Sequence, residues 1–512
     1  MTGWRHPMAM AAAAALLTGC TSGPDFSRPD KPAAESYTPE SLAPRTSSAP
    51  TDGGSAQSFV QSMDIPGQWW ALYHSTELNA LIEEALRANP DLDAAQAALR
   101  QARENFFAAQ GGLFPSLSGN AGGQQQQATG FQQGLGSGTQ IYGVTTASLN
   151  VSYSVDVFGG VRRQVESQEA LAEVARYQLE ATYLTLTSNV VTAAINIASL
   201  NAQIGATQDI IRIQSDSLGV VRRQFDLGGA SRADVLAQEA ALAQTQATLP
   251  PLQKQIAIQR NQLMTLLGRT PNQYRGETFD LAKLKLPTEL PVSLPSQLVD
   301  QRPDVRVAEA QLHSASANIG VATANQLPQF NITALLGMAS GGLSTAFMPG
   351  TGVWSLAGSV AQTLFDGGTL EHRKRAAVAA YDRAAAQYRS VVLLAFQDVA
   401  NALRALQTDA DALKAQAAAE NTAAASLQLA QQQFELGAVN YLILLNAQTT
   451  YQNARINRLR AQAARYSDTA ALFQALGGGW WNRSDVDPKS MGKPDRFNLP
   501  PVQDIKLPRA GH

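Results

Sequence analysis

From Thr145 to Phe158 apolar and polar residues alternate almost without fault. Ala147, Leu149, Val151, Tyr153, Val155 and Val157 fall on one side, and Thr146, Ser148, Asn150, Ser152, Ser154 and Asp156 on the other. A period of two predicts a strand whose faces meet different surroundings. A weaker alternation follows Pro328, with Phe330, Ile332, Ala334 and Leu336 opposite Gln329, Asn331 and Thr333; Trp354, Leu356, Val360 and Leu364 mark another strand, and one more leads from Leu113. Each pair encloses a Gly-rich connector, the first running from Gly119 to Gly143 with a glutamine run at Gln124 to Gln127.

Elsewhere the period is 3.6. From about Val161 to Phe225, and again from about Leu370 to Phe434, Ala, Gln, Leu, Glu and Val carry apolar positions such as Leu171, Val174 and Leu179. No proline occurs between Pro115 and Pro250 or between Pro349 and Pro488, so a helix can run through each stretch without losing a backbone bond. Each would span roughly 100 Å. Helices of that length need partners, and sustained Ala-rich patterns predict close coiled-coil packing.

The chain repeats. Asn89-Pro90-Asp91 and Phe114-Pro115 recur as Arg302-Pro303-Asp304 and Leu327-Pro328, Phe158-Gly159-Gly160 is echoed by Asp366-Gly367-Gly368, Phe225-Asp226-Leu227-Gly228 by Phe434-Glu435-Leu436-Gly437, and Leu267-Gly268 by Leu476-Gly477. The offsets, roughly 210 residues, exceed any solenoid period and indicate a two-fold duplication. The order in each half is helix, strand, strand, long helix, tight turn, helix. The expected organisation is a signal at 1–19, a flexible tether at 20–62, a first repeat at 63–270, a linker at 271–300, a second repeat at 301–478 and a tail at 479–512.

Arg5 and His6 precede an apolar run from Met8 to Leu17, the form of a secretory signal. The run ends in Leu17-Thr18-Gly19-Cys20, and Cys20 is the only cysteine of 512 residues, which excludes a disulfide framework and a thiolate metal cluster. Cleavage before Cys20 and acylation of its sulfur would leave a lipid anchor, each buried methylene contributing about 0.8 kcal/mol. The next forty residues are rich in Pro, Ser, Thr, Ala and Gly, too poor in large apolar groups to offset backbone ordering, and read as the tether. With 16% charged residues and a net charge of -2, no nucleic-acid surface is indicated. Beyond the signal no apolar run approaches the roughly 18 to 20 residues of a spanning helix, so a bilayer crossing would have to use strands of a closed barrel. Four strands cannot close; two copies give a filled eight-stranded barrel, whereas three give about twelve strands and room for a pore.

Element order and particular residues resemble the TolC-type and OprM-type outer-membrane factors of tripartite efflux systems, in the NodT-like lipoprotein branch. The marks are Gly23-Pro24-Asp25-Phe26 with Arg28-Pro29, Trp69-Trp70 before Leu78-Asn79-Ala80-Leu81-Ile82, Asn89-Pro90-Asp91-Leu92, and the two Phe-x-Leu-Gly turns. The resemblance implies an α+β membrane protein: a homotrimer whose twelve-stranded β-barrel in outer-membrane lipid continues as a long α-helical periplasmic barrel. It also implies an equatorial collar built from segments near 270 to 300 and after Trp480, a lipid on Cys20 with Thr21 favouring the outer membrane, a periplasmic adaptor, and an inner-membrane transporter of the RND type.

At the two turns, Gly228-Gly229 and Gly437 are placed to end helices, Ser231 with Asp234 to start the next by a capping box, and Asn440 to cap the other. Turn chemistry alone accounts for those residue types. The resemblance adds function. Gly228, Gly229, Ala230, Ser231, Gly437, Ala438, Val439 and Asn440 become adaptor-contacting tips, and Leu442 matches an apolar constriction ring. Asn446 and Ile443 stand where relatives carry aspartate. Asp234 matches the acid of a latch between hairpins, Phe434 lacks the usual tyrosine hydroxyl and Val439 occupies an arginine position, so a weaker polar latch is expected.

The five histidines (His6, His74, His313, His372, His512) are scattered without ligand spacing, there is no phosphate loop, and the basic run His372 to Arg375 reads as a solvated or headgroup-facing helix start. No catalytic constellation and no cofactor site is expected. A type I protein-secretion exit channel and a structural periplasmic coiled-coil lipoprotein remain alternatives, the second leaving the alternating segments without a role.

Overall fold

The computed structural model describes residues 21–34, 36–129, 139–345 and 347–483. Six strands are present among them: β1 (Ser58–Gln61), β2 (Ser116–Thr129), β3 (Thr139–Val155), β4 (Glu289–Val292), β5 (Gln329–Ser340) and β6 (Gly352–Ala361). Nine α-helices accompany them: α1 (Thr76–Ala88), α2 (Pro90–Gly111), α3 (Gly160–Asp226), α4 (Arg232–Ala247), α5 (Leu249–Leu266), α6 (Pro295–Gln301), α7 (Pro303–Ala324), α8 (Thr369–Glu435) and α9 (Tyr441–Ala475).

The two long helices α3 and α8 have 67 residues each, and their ends lie within a residue of the expected limits. Both start the same way. Gly159 and Gly368 take left-handed backbone (φ 75° and 88°) that a side chain would strain. Just upstream, Asp156 accepts from Val161 N and Arg162 N at 2.9 Å, while Asp366 accepts from Gly368 N at 2.8 Å and Leu370 N at 2.7 Å. A carboxylate there satisfies orphan amides and complements the helix dipole. The returns differ. Pro250 and Pro251 lack the amides a continuous helix needs, so the chain passes from α4 to α5 at Thr248, whereas α9 runs unbroken for 35 residues.

An 18-residue window of α3 has mean hydropathy 1.2, enough for a spanning helix by composition, which the run-length reading did not register; 78% of it is buried against neighbouring helices, making it core. The main core gathers here. Trp69 stacks on Phe473 with ring centroids 5.3 Å apart, Tyr73 donates to Tyr466 O at 2.8 Å, Tyr466 donates to Leu284 O at 2.8 Å, and Trp480 Nε1 donates to Gln301 O at 2.7 Å. β1 and β4 pair in parallel beside it.

Two expectations are corrected. The segment expected to be a flexible tether is, from Thr21 on, laid along the helices as a strap, because polar groups hold it together with Tyr37, Leu42 and Phe59, which pack against the core. Arg163 donates to Ser22 O at 3.2 Å, Phe26 stacks on His313 at 4.3 Å, Lys31 meets Asp300 at 2.7 Å, Arg28 meets Asp300 and Glu309, and the strap ends as β1. Its closest approach is Gly23 against Gly320, where a Cβ on Gly23 would lie 2.5 Å from Gly320 Cα. Second, the glutamine run is strand, not connector: Gln124 to Gln127 pair with Val144 to Ile141, the ladder satisfying their backbone where alternation gives no signal. The turn itself, 130–138, lies outside the described residues, as do Cys20, the signal and the tail beyond Arg483.

Gly320→Val places a branched side chain against Ser22 and Arg163, an overpacking that costs about 1–3 kcal/mol. Limited proteolysis should then cut residues 21–57 faster than in the parent protein, while cleavage within α3 stays unchanged.

Candidate functional site

The four-stranded sheet has the order β2-β3-β5-β6, antiparallel throughout. Directly opposed residues share a face, so the register fixes what each face carries. Leu117 lies beside Val151, which lies beside Ala334, then Leu356; Leu149 lies beside Leu336, then Trp354; Val155 beside Phe330, then Val360. The opposite face joins Ser116, Ser152 and Thr333, and Ser154, Asn331 and Ser359. Apolar and polar residues are therefore sorted through the half of the sheet nearer the helices, whereas farther out Leu335 and Val353 stand on the polar face and Gln125 and Gln127 on the apolar one. Leu336, Trp354, Leu356 and Val360 are exposed at 62% or more, and β2 and β6 each have an unpartnered edge within the protomer. The first described residues stand at the base of this sheet: Ser22 N donates to Phe158 O at 2.9 Å, just past the end of β3.

At the far end of the long helices sit the two tips. Gly228 (φ 79°) and Gly437 (φ 71°) close α3 and α8 in the left-handed conformation, with Gly229 N donating to Gln224 O at 2.7 Å and Ala438 N to Gln433 O at 2.8 Å. Ser231 Oγ accepts from Asp234 N at 3.2 Å, and Asp234 Oδ2 accepts from Ser231 N at 2.9 Å and Oγ at 2.6 Å, a complete capping box. Asn440 Oδ1 accepts from Ile443 N at 3.2 Å. Ala230 and Val439 pack against a small apolar cluster of Leu218, Val221 and Val235 from one hairpin with Leu427, Phe434, Tyr441 and Leu444 from the other.

Leu442 and Asn446, four residues apart on α9, lie on one exposed face, Leu442 60% exposed; Ile443 is exposed beside them. Asp234 and Phe434 are not joined as a latch. Asp234 is engaged by its own cap, and the Phe434 ring meets Tyr441 edge-on at 6.1 Å. Contact between hairpins comes instead from that cluster, from Gln448 Nε2 donating to Ser217 Oγ at 2.9 Å, and from Arg455 with Asp209 at 3.0 Å. Tyr441 is the residue the sequence reading missed: its hydroxyl is buried without a hydrogen-bond partner, and burial first, the Asp234 charge second, hold its phenol far above the ordinary range. A tyrosine directly after an N-cap asparagine gave no signal, since first-turn positions usually face solvent.

The family model described as outer membrane efflux protein matches residues 81–269 and 294–478. The probable efflux pump outer membrane protein TtgC of Pseudomonas putida is 28% identical over 488 residues, 93% of this chain and 96% of that protein. The cation efflux system protein CusC of Escherichia coli K12 is 28% identical over 471 residues, 91% and 98%. Among solved structures, the outer-membrane channel OprN superposes with TM-score 0.81 at 29% identity, covering 90% of this chain and 100% of that one; the open state of the Neisseria gonorrhoeae MtrE outer membrane channel gives 0.77 at 27%, covering 91% and 100%.

The Asp234 carboxyl is held below its ordinary range, by the Ser231 hydroxyl first and the Ser231 backbone second. A lowered folded value stabilises above the unfolded one and is lost as pH falls through the folded value, so the protection factors of amides in the first turn of α4, taken relative to intrinsic exchange at each pH, should fall in acid. Ser231→Ala costs about 1 kcal/mol of cap and should speed the same amides at neutral pH. Phe434→Ala should cost about 3 kcal/mol, raising exchange at both tips but not in the core around Trp69.

Proposed function

The chain belongs to the outer membrane efflux protein family, and on that basis we propose that three copies form the exit duct of a tripartite efflux pump. It is an outer-membrane efflux component; the trimer, its barrel, its gate and its partners are our reading. One observation carries the trimer: a sheet apolar on one face, polar on the other and open at both edges. Lipid cannot satisfy an open edge. Pairing β6 of one copy with β2 of the next keeps every neighbour antiparallel and returns to the start after about twelve strands, with the polar face lining a pore.

Below the barrel, α3 and α8 with their returns would form a duct on the order of 100 Å long. The duplicated halves 63–270 and 301–478 build it, and the core around β1, β4 and Trp480 forms the collar. A lipid on Cys20 fits the strap, because Ser22 is bonded at the junction of sheet and helix, where the inner leaflet would end. The glycine turns with Ala230, Ser231, Ala438, Val439 and Asn440 meet a periplasmic adaptor, and an RND-type transporter in the inner membrane supplies the energy. Leu442 narrows the duct, and Asn446, one turn further on, makes the next ring polar and uncharged. Relatives named for efflux of toluene, antibiotics and cations favour small cargo over secreted polypeptide.

In planar lipid bilayers, purified trimers should conduct, and Leu442→Ala should raise unitary conductance several-fold; an unchanged conductance removes Leu442 from the gate. Cys20→Ala should lose the acyl mass increment on intact-protein mass spectrometry. A deletion strain should become sensitive to small toxic compounds while protein secretion continues.

A further inference from the structure

The two halves of the chain are built to equal lengths. α3 and α8 have 67 residues each and α2 and α7 have 22 each, so every position in one half has a counterpart in the other. Their surroundings are unequal. Within the protomer α2 packs on α3, α3 on α7 and α7 on α8, and no comparable packing joins α8 back to α2. α7 therefore has a long helix on either side, whereas its counterpart α2 has one on a single side.

The seam between α3 and α7 has a definite register. Ser167 Oγ and Ser314 Oγ lie 2.9 Å apart, Glu166 Oε1 meets His313 Nε2 at 2.9 Å, and Arg306 donates to the Tyr177 hydroxyl at 2.8 Å. Small residues let the helices approach: a Cβ on Gly320 would lie 2.7 Å from Arg163 Cγ, and one on Gly160 3.0 Å from Ala324 Cβ. Ser167, Val174 and Tyr177 on α3 are buried here, as are Ser314 and Ala317 on α7. The counterparts of these five are Ala376, Arg383 and Ala386 on α8 and Gln101 and Glu104 on α2, and every one is exposed. Positions that are core in one half face outward in the other.

The exposed faces carry matching charge. Asp93 on α2 stands where α7 has Arg306, and Arg383 and Ala386 on α8 stand where α3 has Val174 and Tyr177. In the α3–α7 register Asp93 would therefore meet Arg383. Glu104 would stand between His372 and Arg375, the counterparts of Arg163 and Glu166, and Ala376 would meet Gln101. Arg100, in the place of His313, would approach Arg375; that guanidinium already pairs with Glu371 at 2.8 Å, and Glu104 lies one turn from Arg100. Asp93, Glu104 and Arg383 form no ion pair among the described residues.

We propose that α8 of one copy docks on α2 of the next in the register of α3 on α7, with Arg383 against Asp93 and Glu104 against His372 and Arg375. The inference rests on the trimer proposed above and adds the residues that join its copies. Alanine-rich helices bury similar area when slid by one turn, so opposed charges at two levels are what select one register. Because the contact joins unlike surfaces, it propagates from copy to copy and ends only when the ring closes. The closed ring would then alternate two versions of one seam, one within each chain and one between chains.

Full-length protein carrying Ala376→Cys and Gln101→Cys, oxidised in its membranes, should run on a non-reducing denaturing gel as covalent dimers and closed trimers. Arg383→Cys with Gln101→Cys, two turns out of step, should link about ten-fold less. Arg383→Asp alone should lower the temperature at which trimers separate by several degrees, and adding Asp93→Arg should recover most of that loss. Sedimentation of the parent protein in detergent keeps the two readings apart. Trimers without a link between positions 376 and 101, or with equal linking by both cysteine pairs, overturn the seam and leave the trimer standing; a monomeric parent overturns both. A charge exchange that recovers nothing overturns the pairing of Arg383 with Asp93 even where the cysteine variants fail to assemble.

Discussion

A backbone amide or carbonyl at an open sheet edge must find a partner, and hydrocarbon offers none. The sheet of this chain has two such edges and one face of leucine, tryptophan and valine. Water disfavours that face and lipid disfavours those edges, so neither solvent suits the protomer alone. The other features accommodate this constraint. The long helices leave the sheet through similar Asp and glycine turns, the strap packs along them, and the Trp and Tyr core gathers around their upper parts.

That core and the strap work by different physics. Around Trp69, Tyr73 and Phe473 the stabilisation is apolar area removed from water, with the Tyr73 and Tyr466 hydroxyls and the Trp480 indole each given one acceptor while the buried Trp69 Nε1 has none among the described residues. The strap, poorer in large apolar groups, adds ion pairs and arginines reaching its carbonyls to the packing of Tyr37, Leu42 and Phe59. Individually such pairs contribute little when exposed, but Arg163 and Arg465 are almost wholly covered, and their hydrogen bonds are made to backbone that cannot move away without leaving a charge unsolvated.

What the sequence disclosed follows the same division. Period-two and period-3.6 patterns report local surroundings, and they located α3 and α8 within a residue and β5 within a few, whereas β3 begins six residues before the alternation at Thr145. Capping residues carry their own geometry, so Ser231, Asp234 and Asn440 could be placed by type. The strap could not, because its partners Arg163, Asp300 and Arg465 are more than a hundred residues away and composition counts only apolar bulk. Gln124 to Gln127 were misread for a related reason: a strand paired on β3 needs no alternation of its own. The tip residues occupy the expected turns, whereas the burial of Tyr441 depends on a second hairpin that no local pattern announces.

The unequal returns from the two tips have a mechanical consequence. A helix of 35 residues without a break behaves as a stiff rod, and α9 can carry axial load from the tip straight to the core around Tyr466 and Phe473. The path through α4 and α5 is jointed at Thr248, where two successive prolines leave the ladder incomplete. A push on the first tip would be taken up as flexion at that joint, whereas the same push on the second would reach the core around Tyr466 and Phe473 undiminished, a division between compliance and leverage.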